Sequence, residues 1–506
     1  MPKIQTGADY LDSLRGRNLT IWLFGEKVEE PVDHPMIRPS INALAKTYDL
    51  AVEQPELASV VSPFTGERVS RFLNICISAP DLVKQNKMQR KLGQLTGTCF
   101  QRCVGMDAFN ALYSTTYDLD GAGNTDYHQR FVAFLTEMHK GNYVVGGAMT
   151  DVKGDRSKAP PQQDDPDLFV HVTKRTDDGV YISGAKAHQT GCINSHWLVV
   201  MPTMRLGAGD EDYAIVGAVP VEAEGITYIY GRQSCDSRSM EEGASIDPGN
   251  VTYGGQEAMV IFKDVFIPNE HIFMNGEVDT AATLVQRFTS YHRRSYVCKT
   301  GVGDVLIGAA AQVAEMNGAE NASHVKDKLV EMTHLNETIY GTGIAASYQG
   351  FKTESGAYLP DDMLANVCKH HVTKLPYDMA RVAQDLAGGL VVTMPSEKDL
   401  NHPEIGDLIR KYLKGKSEFS TEKRMRILRL IENMTLGRNA VGYLTESMHG
   451  AGSPQAQRIE IGRAMQLEYK KRLARVIADA ELDADREAVA EELSGYFERV
   501  FALPED

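Results

Sequence analysis

Phe169-Val-His-Val-Thr173 and Val180-Tyr-Ile-Ser183 are two β-rich runs that flank Asp177-Asp-Gly179. Asp and Gly tolerate the left-handed backbone of a tight turn, and the branched and aromatic residues on either side suit strands, so the stretch predicts a β-hairpin. Working outward, Trp197-Leu-Val-Val-Met201, Tyr213-Ala-Ile-Val-Gly-Ala-Val219 and Ala258-Met-Val-Ile-Phe262 repeat this texture, which predicts an antiparallel sheet between roughly residues 140 and 280. On both sides the composition turns helical. Pro80 to Ala111 is rich in Lys, Gln, Leu and Met and reads as helix, with Gly93, Gly97 and Gly105 as its weak points. After residue 281, Val305 to Met316 and Ser420 to Met434 are the clearer helical stretches, and Asp485 to Phe501 reads as a last helix. The expected fold class is α+β, with an N-terminal helical domain over residues 1–139, a middle β domain over 140–280 and a C-terminal helical domain over 281–506. This is the order of elements in acyl-CoA dehydrogenase-like flavoproteins.

A chain of 506 residues exceeds the size at which one core keeps growing, so two or three packed units are expected. Its 42% hydrophobic and 24% charged residues are those of a globular protein, and no internal repeat or low-complexity tract stands out. A net charge of -15 argues against a general nucleic-acid or membrane-surface binder, while leaving room for a local basic pocket. Met1 to Leu11 carries polar and acidic residues with no apolar signal-peptide core behind it, and no stretch approaches the roughly 18 apolar residues of a membrane span. A cytoplasmic protein with no membrane partner is expected. Seven widely spaced cysteines, Cys76, Cys99, Cys103, Cys192, Cys235, Cys298 and Cys368, read as reduced thiols, some of them available to ligate metal.

Thr96-Gly-Thr-Cys99-Phe-Gln-Arg-Cys103 is the most specific local signal. On a helix, the i,i+4 spacing would place both sulfurs on one face, where a soft centre such as zinc or iron-sulfur could hold them. Two buried core cysteines at helical spacing is the bland reading of the same residues. Tyr291-His-Arg-Arg-Ser-Tyr-Val-Cys-Lys299 gathers His292, Tyr296, Cys298 and Lys299 with two arginines, and the cations would help keep a thiol deprotonated. The competing reading is a satisfied buried histidine with Arg293 and Arg294 on a solvated face.

In the β region, the loop Ala148-Met149-Thr150-Asp151-Val-Lys-Gly-Asp155-Arg156 offers backbone donors and an arginine to a dinucleotide phosphate or a flavin edge. Gly184-Ala-Lys-Ala-His188-Gln189-Thr190-Gly191 follows a strand as a second such loop. Neither has Rossmann or Walker spacing, and a plain hairpin connection is the commoner meaning of such segments. Glu257 and Glu446 each stand near glycine-rich turns, where a buried carboxyl can carry protons. Asp385-Leu-Ala-Gly388-Gly389-Leu390 lets a backbone approach a planar cofactor, or lets two helices pack tightly.

From Gly7-Ala-Asp-Tyr-Leu-Asp-Ser-Leu-Arg15 to His449-Gly-Ala-Gly-Ser-Pro-Gln-Ala-Gln457, the chain resembles the 4-hydroxybutyryl-CoA dehydratase family, itself related to the flavin-dependent 4-hydroxyphenylacetate 3-monooxygenases. The pairing of Cys99 and Cys103 with His292 and Cys298 separates the two branches. The resemblance implies a 4Fe-4S cluster on those four residues and a bound FAD. It also implies Glu257, Tyr296, Thr190, Gln101, Lys299 and Glu446 around a CoA-thioester substrate. For FAD it points to Met149, Thr150, Asp151, Asp155, Arg156, His188, Gln189 and Thr190, with Asp385, Gly388 and Gly389, in a homotetramer whose FAD is contacted by two chains. One departure stands out: in the family two residues separate the Tyr from the third Cys, whereas only Val297 lies between Tyr296 and Cys298 here. On a regular helix i+6 is displaced by about a third of a turn from the face shared by i and i+7, so ligation by Cys298 predicts a local distortion.

The reaction so implied is loss of water from 4-hydroxybutyryl-CoA to give crotonyl-CoA, with vinylacetyl-CoA isomerisation as a companion. The C3 proton is not acidified by the thioester, and C4 does not readily expel hydroxide. A radical route is implied: C2 deprotonation, one-electron loss to flavin, C3 deprotonation, departure of the hydroxyl to an iron acting as Lewis acid, and return of the electron. His292 would be ligand and base, assisted by Glu446 or Glu257, with Tyr296 and Thr190 as hydrogen-bond donors. The alternatives are an aromatic monooxygenase of the hydroxyphenylacetate type, and a non-enzymatic binding protein whose cysteines serve packing.

Overall fold

The computed structural model describes residues 3–123, 125–234, 246, 252–480, 487–491 and 494. The helix expected over Asp485 to Phe501 and Cys235 lie largely or wholly outside them. A short hairpin of β1 (Ile21–Leu23) and β2 (Glu26–Val28) precedes the first long helices. Pro80 to Ala111 is not one helix but two, α1 (Ala79–Thr96) and α2 (Cys103–Ala122). Ser78 caps the start of α1 through the Asp81 amide, and Pro80 occupies its first turn. Gly97, at φ 61°, ends it in the left-handed conformation that glycine adopts without strain.

The strands that follow are β3 (Val145–Ala148), β4 (His171–Arg175), β5 (Gly179–Thr190), β6 (Trp197–Val200), β7 (Ile215–Pro220), β8 (Ile226–Tyr230), β9 (Glu257–Pro268) and β10 (Ile272–Asn275). The hairpin around Asp177-Asp-Gly179 joins β4 to β5 with Arg175 opposite Val180. Instead of one antiparallel sheet there are two mixed ones, ordered β2-β1-β8-β9-β5-β4 and β10-β7-β6-β3. The departure has two causes. The N-terminal hairpin joins the larger sheet through a parallel β1–β8 pair, and β3, arriving from a helix, pairs parallel with β6. Val172, Ile182 and Val260 of the larger sheet share one buried core with Leu198, Ile215 and Val219 of the smaller.

Helices α3 (Val278–Ser295), α4 (Cys298–Met316), α5 (Ser323–Tyr348), α6 (Asp362–Val372), α7 (Leu375–Ala387) and α8 (Thr421–Thr435) build the C-terminal part. Leu306, Val313, Met379, Leu428 and Ile431 form its core. Against the expectation of no membrane-length stretch, Val278–Met316 is long and apolar enough by composition, and 67% of its most apolar window is buried in the chain. α1 and α4 touch backbone to backbone. A Cβ at Gly301 would sit 2.0 Å from the Arg90 carbonyl oxygen, and one at Gly93 would sit 2.7 Å from that of Cys298. This crossing fixes where α4 begins, and therefore where Cys298 stands.

Candidate active site

The strand β5 runs without a break to Thr190, so Gly184 to Gly191 is not the loop that its small residues suggest. Thr190 pairs with Glu257, the first residue of β9, and its hydroxyl donates to Glu257 Oε1 at 2.6 Å. Two residues earlier the register slips, with Ala258 opposite Gln189 but Val260 opposite Lys186. His188 sits in this bulge at φ 31°, an uncommon value for a residue with a side chain. Burial lowers the His188 imidazole, with Lys153 and His449 adding to the effect and Glu446 opposing it, so these groups lie within electrostatic reach of the ring.

Glu446 comes from the C-terminal bundle. Val441–Thr445 forms a π-helical turn ahead of it, and the Gly442 carbonyl in that turn accepts from Lys299 Nζ and Ser447 Oγ at 2.8 and 2.7 Å. Glu446 Oε1 accepts from the Tyr296 hydroxyl at 3.0 Å and Oε2 from Lys299 at 2.8 Å. Gly450 closes over this bond: a Cβ there would lie 1.9 Å from the Tyr296 oxygen.

The two carboxyls are driven apart. Burial pushes Glu257 well above the carboxylate range, and the Glu446 charge pushes it further. Burial acts on Glu446 in the same direction but is outweighed by Lys299, Lys369 and the Tyr296 hydrogen bond, which hold it below its ordinary value. One site thus shifts its two carboxyls in opposite directions, the kind of division that acid and base roles use. Lys369, which no sequence signal marked, is fully buried on α6. Its ammonium donates to the carbonyls of Ser447 and Met448 and lies 4.4 Å over the Tyr296 ring. Burial pulls it down to about 7, against the opposing pull of Glu446.

The six described cysteines are free thiols. Cys99 lies in the segment between α1 and α2, and Cys103 opens α2, so the pair does not share a helix face as its spacing suggests. Gly97 has already ended the helix, and Gln101, at φ 65°, turns the chain between the two. Cys298 opens α4. The Tyr296 and Val297 amides bond back to Arg293 and Arg294 at 3.4 Å each in i→i−3 fashion, so the helical ladder is interrupted where the short spacing requires distortion. Cys298 and Cys103 stand close enough to act on each other: Cys103 holds the Cys298 thiol below its ordinary value and Cys298 raises that of Cys103, while burial pushes Cys99 up to about 12.

His292 Nδ1 is 2.8 Å from Asp107 Oδ2, and Asp107 in turn raises both Cys103 and Cys298, so imidazole and thiols surround one carboxylate. Met88, Leu92 and Phe100 pack in one apolar cluster with Cys103 and Cys298. Among the described residues, no three His, Cys, Asp or Glu side chains converge tightly enough for a single metal ion. Thiols and an imidazole are donor types that suit an iron-sulfur cluster, which spreads its ligands wider than one ion does. Arg293 and Arg294 are buried and not a solvated face. Arg293 binds Asn366 and the Ala451 carbonyl, and Arg294 binds Gln85 and Asn86 of α1.

The remaining site candidates separate. Gln101 spends its amide on the carbonyls of Ser40 and Gly254 and on Asn194. The Asp151 carboxylate is committed to Lys186 and Thr203. Gln189 binds the Met149 amide and the Thr150 carbonyl, which shapes that loop from within. Asp155 accepts from Ser157, and Arg156 is exposed. Asp385 pairs with Lys328 at 2.5 Å near the end of α7, and Gly388 and Gly389 beyond it have open space at their Cβ positions.

Residues 6–274 match the family model for the 4-hydroxyphenylacetate 3-hydroxylase N terminal region, and residues 281–479 the corresponding C terminal one. A 4-hydroxybutyryl-CoA dehydratase/vinylacetyl-CoA-Delta-isomerase of Clostridium aminobutyricum is 54% identical over 94% of this chain and 99% of that protein. The structure of an oxygen-tolerant archaeal 4-hydroxybutyryl-CoA dehydratase from N. maritimus superposes with a TM-score of 0.93 at 66% identity, over 95% of this chain and 96% of that one. The FAD complex of the oxygenase component of 4-hydroxyphenylacetate 3-monooxygenase shares the fold, with a TM-score of 0.83 at 23% identity over 94% of this chain and 99% of that one. On this ground the chain belongs to the 4-hydroxybutyryl-CoA dehydratase family, a branch of the wider 4-hydroxyphenylacetate 3-hydroxylase fold family.

Proposed function

We propose that this protein dehydrates 4-hydroxybutyryl-CoA to crotonyl-CoA and shifts the double bond of vinylacetyl-CoA, using FAD and a 4Fe-4S cluster. The observation that carries the reading is the pair of buried carboxyls, Glu257 held by Thr190 and Glu446 held by Tyr296 and Lys299, which the site shifts in opposite directions, with Cys99 and Cys298 within electrostatic reach of Glu446. When bound, FAD supplies reversible one-electron chemistry at the thioester, and the cluster, held by Cys99, Cys103, Cys298 and His292, supplies a Lewis-acidic iron for the hydroxyl. Glu446 is the carboxylate ready to take a proton, and Tyr296 and Lys299 hold it in place. Glu257, its carboxyl raised by burial and oriented by the Thr190 hydroxyl, is the candidate proton donor. His292 Nδ1 is engaged with Asp107 at 2.8 Å, which leaves Nε2 as the nitrogen available to a ligand or to a proton.

The exposed stretch of Asp385, Gly388 and Gly389, away from any strand, is suited to a cofactor shared with a second copy, as in the homotetramer we propose. A cytoplasmic chain of three units, 1–139, 140–280 and 281–506, completes the reading. Anaerobically purified protein is expected to show flavin absorbance, iron and acid-labile sulfide, and to form crotonyl-CoA from 4-hydroxybutyryl-CoA. His292→Ala should abolish dehydration while FAD stays bound. Iron-free protein that hydroxylates a phenol with reduced flavin and oxygen, or an unchanged rate in the variant, would overturn the assignment.

A further inference from the structure

Asp107 is wholly buried one turn into α2, four residues after Cys103. Its Oδ2 accepts from His292 Nδ1 at 2.8 Å and from the Ser295 hydroxyl at 2.7 Å. Its Oδ1 has no hydrogen-bond partner, and the nearest cation, Arg294, stands 3.8 Å away. A buried carboxylate oxygen left without a donor costs free energy, so packing alone does not account for an aspartate here. Asn would fill the same volume without the charge.

We propose that Asp107 is the positioning residue of the cluster site: it fixes His292 in the tautomer with the proton on Nδ1 and leaves Nε2 as the ligating nitrogen. This rests on the cluster reading given above. Three features support it. A carboxylate only accepts, so the proton of the shared bond belongs to Nδ1. Ser295, one turn after His292, binds the same Oδ2 and stops the carboxylate from rotating. Phe288 stacks on the imidazole with ring centres 5.3 Å apart, which fixes the ring plane. Cys103 and Asp107 share α2, so one helix sets both a thiol and the partner of the histidine ligand. In Asp107→Asn the amide can turn its N–H toward Nδ1, which favours the tautomer protonated on Nε2 and removes the ligating lone pair.

The test uses the anaerobically loaded holoenzyme. Wild-type protein without iron and sulfide would sink the cluster reading itself, separately from this inference. With a loaded wild type, Asp107→Asn is expected to lose iron to a chelator roughly 10- to 100-fold faster and to lose the imidazole nitrogen coupling in the pulsed EPR spectrum of the reduced cluster, at a melting temperature close to wild type. Asp107→Glu should recover part of both. Wild-type kinetics of iron loss with the nitrogen coupling intact in Asp107→Asn would overturn the proposal. Should that variant fail to fold, nitrogen NMR of the metal-free wild type labelled at histidine decides. Nδ1–H with a bare Nε2 on His292 is expected, with the signal identified by its absence in His292→Gln, and the opposite tautomer overturns the proposal.

Discussion

Thr190 and Glu257 face each other across two strands, and the Thr190 hydroxyl donates to the carboxyl at 2.6 Å. The pair marks the end of β5 and the start of β9, so backbone pairing and not loop packing sets its geometry. The larger sheet thereby delivers a carboxyl to within electrostatic reach of Glu446, which arrives from the helical part.

Glu257→Gln tests the protonated state of that carboxyl. The folded value is raised above the ordinary 4.5, so the native state binds more protons than the unfolded chain as pH rises past that point, and wild-type stability falls with pH until Glu257 ionises. Gln mimics the neutral acid and removes this slope. Melting temperatures of the two proteins should therefore coincide near pH 4 and diverge in favour of the variant as pH rises, while its dehydration rate falls by roughly 10²- to 10⁴-fold. Parallel melting curves across that range would mean that Glu257 is ionised in the folded protein.

Lys369 carries the opposite sign. Its folded value of about 7 lies below the ordinary 10.5, so between these limits the unfolded chain binds the extra proton and stability rises with pH. Lys369→Met should lose that rise when its melting temperature is followed from pH 7 to 10. It also removes the cation from the Tyr296 face and the donor to Ser447 and Met448, so a lower kcat at little changed KM is expected from a misplaced Glu446. A variant with wild-type kcat would show that Lys299 and Tyr296 hold Glu446 unaided.

What the sequence disclosed follows from the range of its signals. The hairpin at Asp177-Asp-Gly179 is local chemistry and stands where it was expected. Cys99 and Cys103 do not share the helix face that their spacing predicts. The helix that would align them ends at Gly97, and it is the positive φ of Gln101 together with the interrupted ladder at Tyr296 and Val297 that shapes their surroundings. Lys369 and Asp107 sit inside ordinary helical sequence, and their meaning comes from partners 78 and 185 residues away, Ser447 and His292. The parallel β1–β8 pair is equally non-local, since nothing in Ile21-Trp-Leu23 names Tyr228 as its neighbour.

Gly450→Ala tests the Tyr296–Glu446 bond without touching either partner. Gly450 has φ -59°, so alanine meets no backbone strain there, and its effect comes from a methyl placed 1.9 Å from the Tyr296 oxygen and 2.9 Å from Glu446 Oε1. Either Tyr296 rotates away from Glu446 or the chain at 450 retreats. The expected outcome is a stability loss of about 1–3 kcal/mol by denaturant unfolding and at least a tenfold drop in dehydration. Tyr296→Phe combined with Gly450→Ala should then add little further loss of activity, because the bond is already gone. Fully additive losses would place the Gly450 effect elsewhere.

Two glycines of α4 separate packing from propensity. Replacing a helical glycine by alanine gains roughly 0.5–1 kcal/mol of intrinsic preference. Gly308 is exposed, and a methyl group added there would meet nothing within 4 Å, so Gly308→Ala should raise stability by about that amount. At Gly301 the same methyl would sit 2.0 Å from the Arg90 carbonyl oxygen and 2.9 Å from the Gln94 amide nitrogen, and both neighbours are backbone of α1 that cannot swing aside. Relief requires the two helices to part, which forfeits the close contact along α1 and α4 and costs more than propensity returns. Gly301→Ala is therefore expected to lower stability by about 1–3 kcal/mol. The displacement acts on Cys298, three residues earlier on the same helix, so iron content after anaerobic purification should fall in Gly301→Ala and stay at the wild-type level in Gly308→Ala. Equal iron content in all three proteins would show that the helix crossing does not set the position of Cys298.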